Sequence, residues 1–168
     1  MASAAPELLS IRVASEGDVP LILNFIQKLA AYEKLSHEVM ATEAALRGYL
    51  FGERPLAEVI LAYLGSEPAG FALFFHNFST FLARPGIYLE DLFVEPDLRG
   101  KGIGKALLVH LARIAMERGC GRLEWSVLNW NEPSIEFYRK LGAFAKDEWT
   151  IYRLTGPALE RLATGAAR

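Results

Sequence analysis

Residues 88–118 constrain this chain more than any other stretch, because they set an apolar strand, a tight basic glycine turn and a long helix in succession. Tyr88-Leu89-Glu90-Asp91-Leu92-Phe93-Val94 is rich in aromatic and branched residues, as a buried strand is, and Pro96-Asp97 ends it with turn chemistry. Arg99-Gly100-Lys101-Gly102-Ile103-Gly104 follows, with glycine at alternate positions. Without Cβ atoms there, successive backbone N–H groups can converge on an anion. The next helix repeats Ile103, Leu107, Leu108, Leu111, Ile114 and Ala115 at helical spacing and turns its positive end to the same point. A strand-to-helix turn that binds nothing also needs flexible residues. The added charge of Arg99 and Lys101 favours a phosphate cradle.

Two familiar nucleotide motifs do not fit. A dinucleotide fingerprint needs its third glycine where this chain has Lys105, and a P-loop needs Ser or Thr where it has Ala106. Glu90 and Asp91 stand side by side in the apolar strand, and regular alternation sends one to each face of the sheet. At least one of these carboxylates is expected to be partly buried. Burial raises a carboxyl pKa toward the range of a general base, so either is a candidate to take a proton from an attacking ammonium, directly or through water. The competing reading is a solvated strand end or a structural pair with an arginine. Tyr138, within Ser134-Ile135-Glu136-Phe137-Tyr138, is on pattern alone a core aromatic or a general acid.

A chain of 168 residues fits one domain, residues 1–168, and 52% hydrophobic with 23% charged residues is a globular composition. A net charge of −2 argues against a nucleic-acid partner. The single cysteine, Cys120, excludes an internal disulfide and suits a reducing compartment. No apolar run reaches membrane-spanning length, and the first residues lack the basic start and apolar core of a signal peptide. A cytoplasmic protein without a membrane partner or a metal is expected.

In chain order, residues 1–7 read as a loose start and Leu9 to Val13 as a strand. Ser15 and Asp18 form a variant capping box before a helix to about Lys34, and Thr42 opens a second helix to Phe51. Glu58–Leu64 and Gly70–Phe75 form a hairpin, residues 76–85 a loop or ragged strand end, and Arg122–Val127 a strand. Asn131 caps a short helix to Leu141, Trp149–Leu154 is a last strand, and Pro157 opens a C-terminal helical turn. The order β-α-α-β-β-β-α-β-α-β describes an α/β domain with one mixed sheet, helices on both faces, and the strands at Tyr88 and Arg122 parallel through a helical crossover.

This order, with Arg-x-x-Gly-x-Gly between strand and helix, resembles the GNAT superfamily of N-acetyltransferases over nearly the whole chain. The resemblance implies that acetyl-coenzyme A binds at Arg99, Gly100, Lys101, Gly102, Ile103 and Gly104. It also implies a strand bulge around Leu92, Phe93 and Val94 that frees backbone groups for the pantetheine arm. The run Asn131-x-x-Ser134-x-x-Phe137-Tyr138 matches the family's pattern, in which the asparagine contacts coenzyme and the tyrosine protonates the leaving thiolate. Leu29-Ala30-Ala31-Tyr32-Glu33, the Tyr88–Val94 strand and Trp130–Tyr138 look like the spermidine/spermine and thialysine acetyltransferases. That likeness implies Glu90 as a water-mediated base, Tyr32, Glu33, Glu90 and Asp91 at the amine site, and a homodimer. Alone, Tyr32-Glu33 reads as a helix-end staple and a solvated acid.

The polyamine enzymes carry an acid and a tryptophan where this chain has Thr80 and Leu82, which favours a shorter diamine, thialysine or a lysine-like amine over spermidine. A peptide amine as acceptor, or a non-catalytic acyl-coenzyme A sensor, are the alternatives.

Overall fold

The computed structural model describes residues 8–165, so the expected loose start at residues 1–7 lies outside the described residues. Chain contacts divide it into two compact units, one ending at Leu128 and the other beginning at Asn129.

The first unit is built on strands β1 (Leu9–Val13), β2 (Glu58–Leu64), β3 (Glu67–Ser79), β4 (Arg84–Val94) and β5 (Leu123–Trp125), side by side in chain order. All neighbours are antiparallel except β4 and β5, which are parallel as expected from their crossover, helix α3 (Ile103–Glu117). Helices α1 (Val19–Tyr32) and α2 (Glu43–Phe51) follow β1. Ser15 N–H donates to the Asp18 carboxylate at 2.7 Å ahead of α1, and Thr42 Oγ1 caps α2 by accepting from Ala45 N–H at 3.2 Å.

Both faces of the sheet are buried. Val59, Leu61, Phe71 and Phe93 join Ile22 and Phe25 of α1 and Leu50 of α2 in one cluster, with the Phe25 and Phe71 rings stacked at 5.4 Å. The alternate strand residues Ile60, Ala72, Phe74 and Leu89 are equally buried, on the face that α3 covers with Leu107, Leu108 and Leu111.

One expectation for the strands is sharpened and another is overturned. Of the two readings of residues 76–85 the strand end holds and the loop shrinks to a turn: β3 runs to Ser79 and β4 starts at Arg84, joined by a turn at residues 80–83. Asn77 Nδ2 bonds across this extension to Glu124 Oε2 at 3.0 Å, so polar residues make sheet contacts there that apolar patterning does not reveal. Trp149–Leu154 forms no strand among the described residues, and Trp149, Ile151 and Tyr152 are 69–92% exposed. Strand propensity needs a ladder partner to become a strand, and none pairs with this segment.

The second unit holds α4 (Glu132–Lys140) and α5 (Gly156–Thr164). Asn131 caps α4, its Oδ1 accepting from Ser134 N–H at 3.4 Å, and the Tyr138 ring lies 5.4 Å from that of Phe137. Among the described residues no helix is long and apolar enough to cross a membrane.

Candidate active site

The site is organised by a fault in the β3–β4 ladder. Leu73 faces Asp91 and the next residue, Phe74, faces Leu89, so Glu90 is an extra, unpaired residue on β4. The bulge therefore lies at Glu90, ahead of the expected Leu92–Val94. It also overturns the simple alternation of faces. Paired residues share a face, so Leu89 lies with Phe74 on the α3 face while Asp91, two residues on, lies with Leu73 on the α1 face. Glu90 is exposed, and Asp91 is the carboxylate that burial takes.

Burial, the adjacent Glu90 and the nearby Glu33 together push the Asp91 carboxyl up to about 6. Glu33 follows the last residue of α1 and its own pKa is raised by burial. Glu33, Glu90 and Asp91 thus form an acidic cluster across the end of α1 and the bulge of β4. Among the described residues no group of three or more acids, histidines or cysteines is placed to hold a metal.

Past the bulge, β4 has one partner. Its pairing with β5 ends at Leu89 and Trp125, while pairing with β3 continues to Val94. Glu95 N–H donates to Ala69 O at 3.0 Å, and the Phe93 carbonyl abuts Gly70, so these alternate residues direct their peptides at β3. Those of Leu92 and Val94 point to the open side. Phe93, expected among the coenzyme residues, is 3% exposed, with its ring 5.8 Å from Phe25 in the core.

The open edge leads into the glycine turn. Gly100 and Gly102 have φ of 78° and 82°, left-handed values that disfavour any side chain. Ala106 N–H to Gly102 O, 2.9 Å, begins the α3 ladder, so the amides of Ile103, Gly104 and Lys105 have no partner within the helix. Ile103 is 1% exposed and contributes only backbone, while its side chain fixes the turn to the core. Lys101 and Lys105 are exposed beside these amides. Arg99 turns back instead: Nε donates to Val94 O at 3.1 Å and the guanidinium lies 4.6 Å from the centre of the Tyr32 ring. A glycine turn with helix-start amides, an open strand edge and a carboxylate cluster therefore occupy one end of β4.

The model of the acetyltransferase (GNAT) family matches residues 25–143. The chain belongs to the GNAT acetyltransferase family. A thialysine N-epsilon-acetyltransferase of Bos taurus is 40% identical over 91% of this chain and 96% of its own length. An L-ornithine N5-acetyltransferase of Arabidopsis thaliana is 34% identical over 90% and 86%. Among solved structures, an integron cassette protein from the mobile metagenome of V. cholerae superposes with TM-score 0.78 and 31% identity, over 92% of this chain and 97% of that one. This GNAT protein is accordingly an N-acetyltransferase.

Sequence reasoning singled out the glycine turn, Asp91 and Glu33, and it missed two features of this acetyltransferase. The stacking of Arg99 on Tyr32 joins residues with no local pattern. The polar pair inside an apolar strand was the one available signal of the bulge. Thr80 and Leu82 lie in the turn before β4, roughly 20 Å of strand from Asp91. Within one chain, that turn is too far away to anchor the distal end of a polyamine bound at Asp91.

Proposed function

We propose that this enzyme transfers acetyl from acetyl-coenzyme A to a primary amine of a small cationic acceptor, by direct attack in a ternary complex. The observation that carries this reading is the carboxylate cluster of Glu33, Glu90 and Asp91 beside the open edge of β4. Carboxylates attract a cationic amine and can hold its charged end. A carboxylate with pKa near 6, as burial gives Asp91, is also poised to accept a proton at neutral pH. Asp91 or Glu90 takes the ammonium proton, the amine nitrogen attacks the thioester carbonyl, the C–N bond forms and the C–S bond breaks. As the family resemblance implies, Tyr138 gives its proton to the departing thiolate and regains one as the acylated nitrogen sheds its second proton, giving coenzyme A and the N-acetyl amine with one proton released in all. The amides of residues 103–105, with Arg99 and Lys101, hold the pyrophosphate, and Leu92 and the Val94 N–H offer peptide groups to the pantetheine arm, while the family resemblance assigns coenzyme contacts to Asn131 and Ser134.

The names of the two curated relatives support a short acceptor, since thialysine and ornithine are amino acids with one further amine. Coenzyme A release measured against thialysine, ornithine, lysine, putrescine, spermidine and a lysine peptide tests the reading. We expect kcat/KM for a short diamino acid or diamine to exceed that for spermidine by about tenfold, a difference of about 1.4 kcal/mol. Preference for the peptide would move the assignment to protein amines, and coenzyme binding without turnover of any amine would favour a sensor. The resemblance to the spermidine/spermine and thialysine acetyltransferases implies a homodimer, which sedimentation would check.

The cradle has its own test. Gly102→Val places a branched residue at φ 82°, so we expect a loss of about 1–2 kcal/mol in stability and a weakening of coenzyme A binding by about tenfold. Gly48→Ala in α2, where an added Cβ meets nothing within 4 Å, should raise stability by about 0.4–1 kcal/mol and leave binding unchanged.

A further inference from the structure

Arg99 is exposed at the entrance to the glycine turn, yet its side chain is held at three points. Nε donates to the Val94 carbonyl at 3.1 Å, the guanidinium carbon is 4.6 Å from the Tyr32 ring centre, and it is 5.9 Å from that of Phe93. Tyr32 is the last residue of α1, and Phe93 is locked in the core. One guanidinium thus ties the end of α1, the end of β4 and the start of the cradle together. With Nε committed to Val94, the terminal Nη groups remain as a planar fork, the geometry that grips phosphate oxygens in pairs. A long arginine side chain left loose would have to be ordered by each incoming anion, and that ordering weakens binding.

We propose that Tyr32 is a positioning residue for the donor: its ring holds the Arg99 guanidinium so that the Nη groups meet the coenzyme pyrophosphate. It does not line the amine site. The neighbouring Glu33 serves the other substrate through its coupling to Asp91. Adjacent residues can serve different halves of the site because successive side chains on a helix do not face the same way. The assignment rests on reading the glycine turn as the coenzyme cradle.

Calorimetry with coenzyme A, and with pantetheine as a probe lacking the pyrophosphate, tests it on the full chain, together with KM for acetyl-coenzyme A and for the best acceptor of the panel. Tyr32→Ala should weaken coenzyme A binding by about fivefold, as loss of a partly exposed cation–π contact does, and leave pantetheine binding and acceptor KM within about twofold. Tyr32→Phe, which keeps the ring, should restore coenzyme A affinity. In an Arg99→Ala background, Tyr32→Ala should add almost nothing. Tyr32→Leu replaces the alanine variant should the latter fail to fold, with the same expectations. A raised acceptor KM with unchanged coenzyme A affinity would overturn the proposal, as would full additivity with Arg99→Ala. Failure of the wild-type protein to bind coenzyme A would overturn the proposed function and this assignment together, whereas wild-type binding that Tyr32→Ala leaves intact would overturn this assignment alone.

Discussion

Tyr138→Phe is expected to lower kcat by about 100-fold while leaving coenzyme A affinity within about twofold, the pattern of a lost general acid. The substitution removes one oxygen and keeps the ring, so the contact with Phe137 at 5.4 Å and the packing of α4 survive. A departing thiolate takes a proton from a phenol at a cost of only about 2 kcal/mol, because the reference acids differ by about 1.5 pKa units. The deficit should therefore persist from pH 6 to pH 9 and shrink with a thioester whose thiol is more acidic. An unchanged kcat across that range would return Tyr138 to the role that its pattern alone suggests, an aromatic in the packing of α4.

What was legible in the sequence was local. The periodicity of Ile103 to Ala115, the caps at Thr42 and Asn131 and the glycine turn each sit within a few residues, and the corresponding elements form within one or two residues of their expected ends. Register was not legible, because it belongs to two strands at once. Whether Glu90 or another residue is the extra one depends on how Leu73 and Phe74 meet β4, and nothing within the Tyr88–Val94 stretch decides it. The face that Asp91 occupies, and with it the acidic cluster, follows from that register. The strand expected at Trp149–Leu154 failed for a related reason: its β-branched and aromatic residues suit a ladder, but a ladder needs a second edge. Arg99 was readable as a cation at the glycine turn, while its stacking on Tyr32 emerges only when the end of α1 meets the end of β4.

Asp91→Asn is expected to make the protein more stable and much less active. In the folded chain this carboxyl titrates near 6 instead of 3.8, so the native state holds a proton that the unfolded chain releases across pH 4 to 6. Stability from this group is therefore full below about pH 4 and is lost as pH rises through about 6. Holding the ionised carboxylate in the fold at higher pH costs about 3 kcal/mol relative to the unfolded chain. Asparagine avoids the charge, so at pH 8 the variant should melt about 5–10 °C above wild type, and the difference should vanish near pH 4. Glu90→Gln, at an exposed position, should change stability far less. Activity should move the other way: wild-type kcat/KM should rise through about pH 6 as Asp91 ionises, and the asparagine variant should lose about 100-fold and that acid limb. A bound cationic acceptor supplies the counter-charge that Asp91 lacks among its acidic neighbours. It should thus raise the melting temperature of wild type at pH 8 and leave the asparagine variant nearly unmoved. Equal melting temperatures for the two proteins at pH 8 would show that Asp91 carries no such strain and would remove it from the amine site.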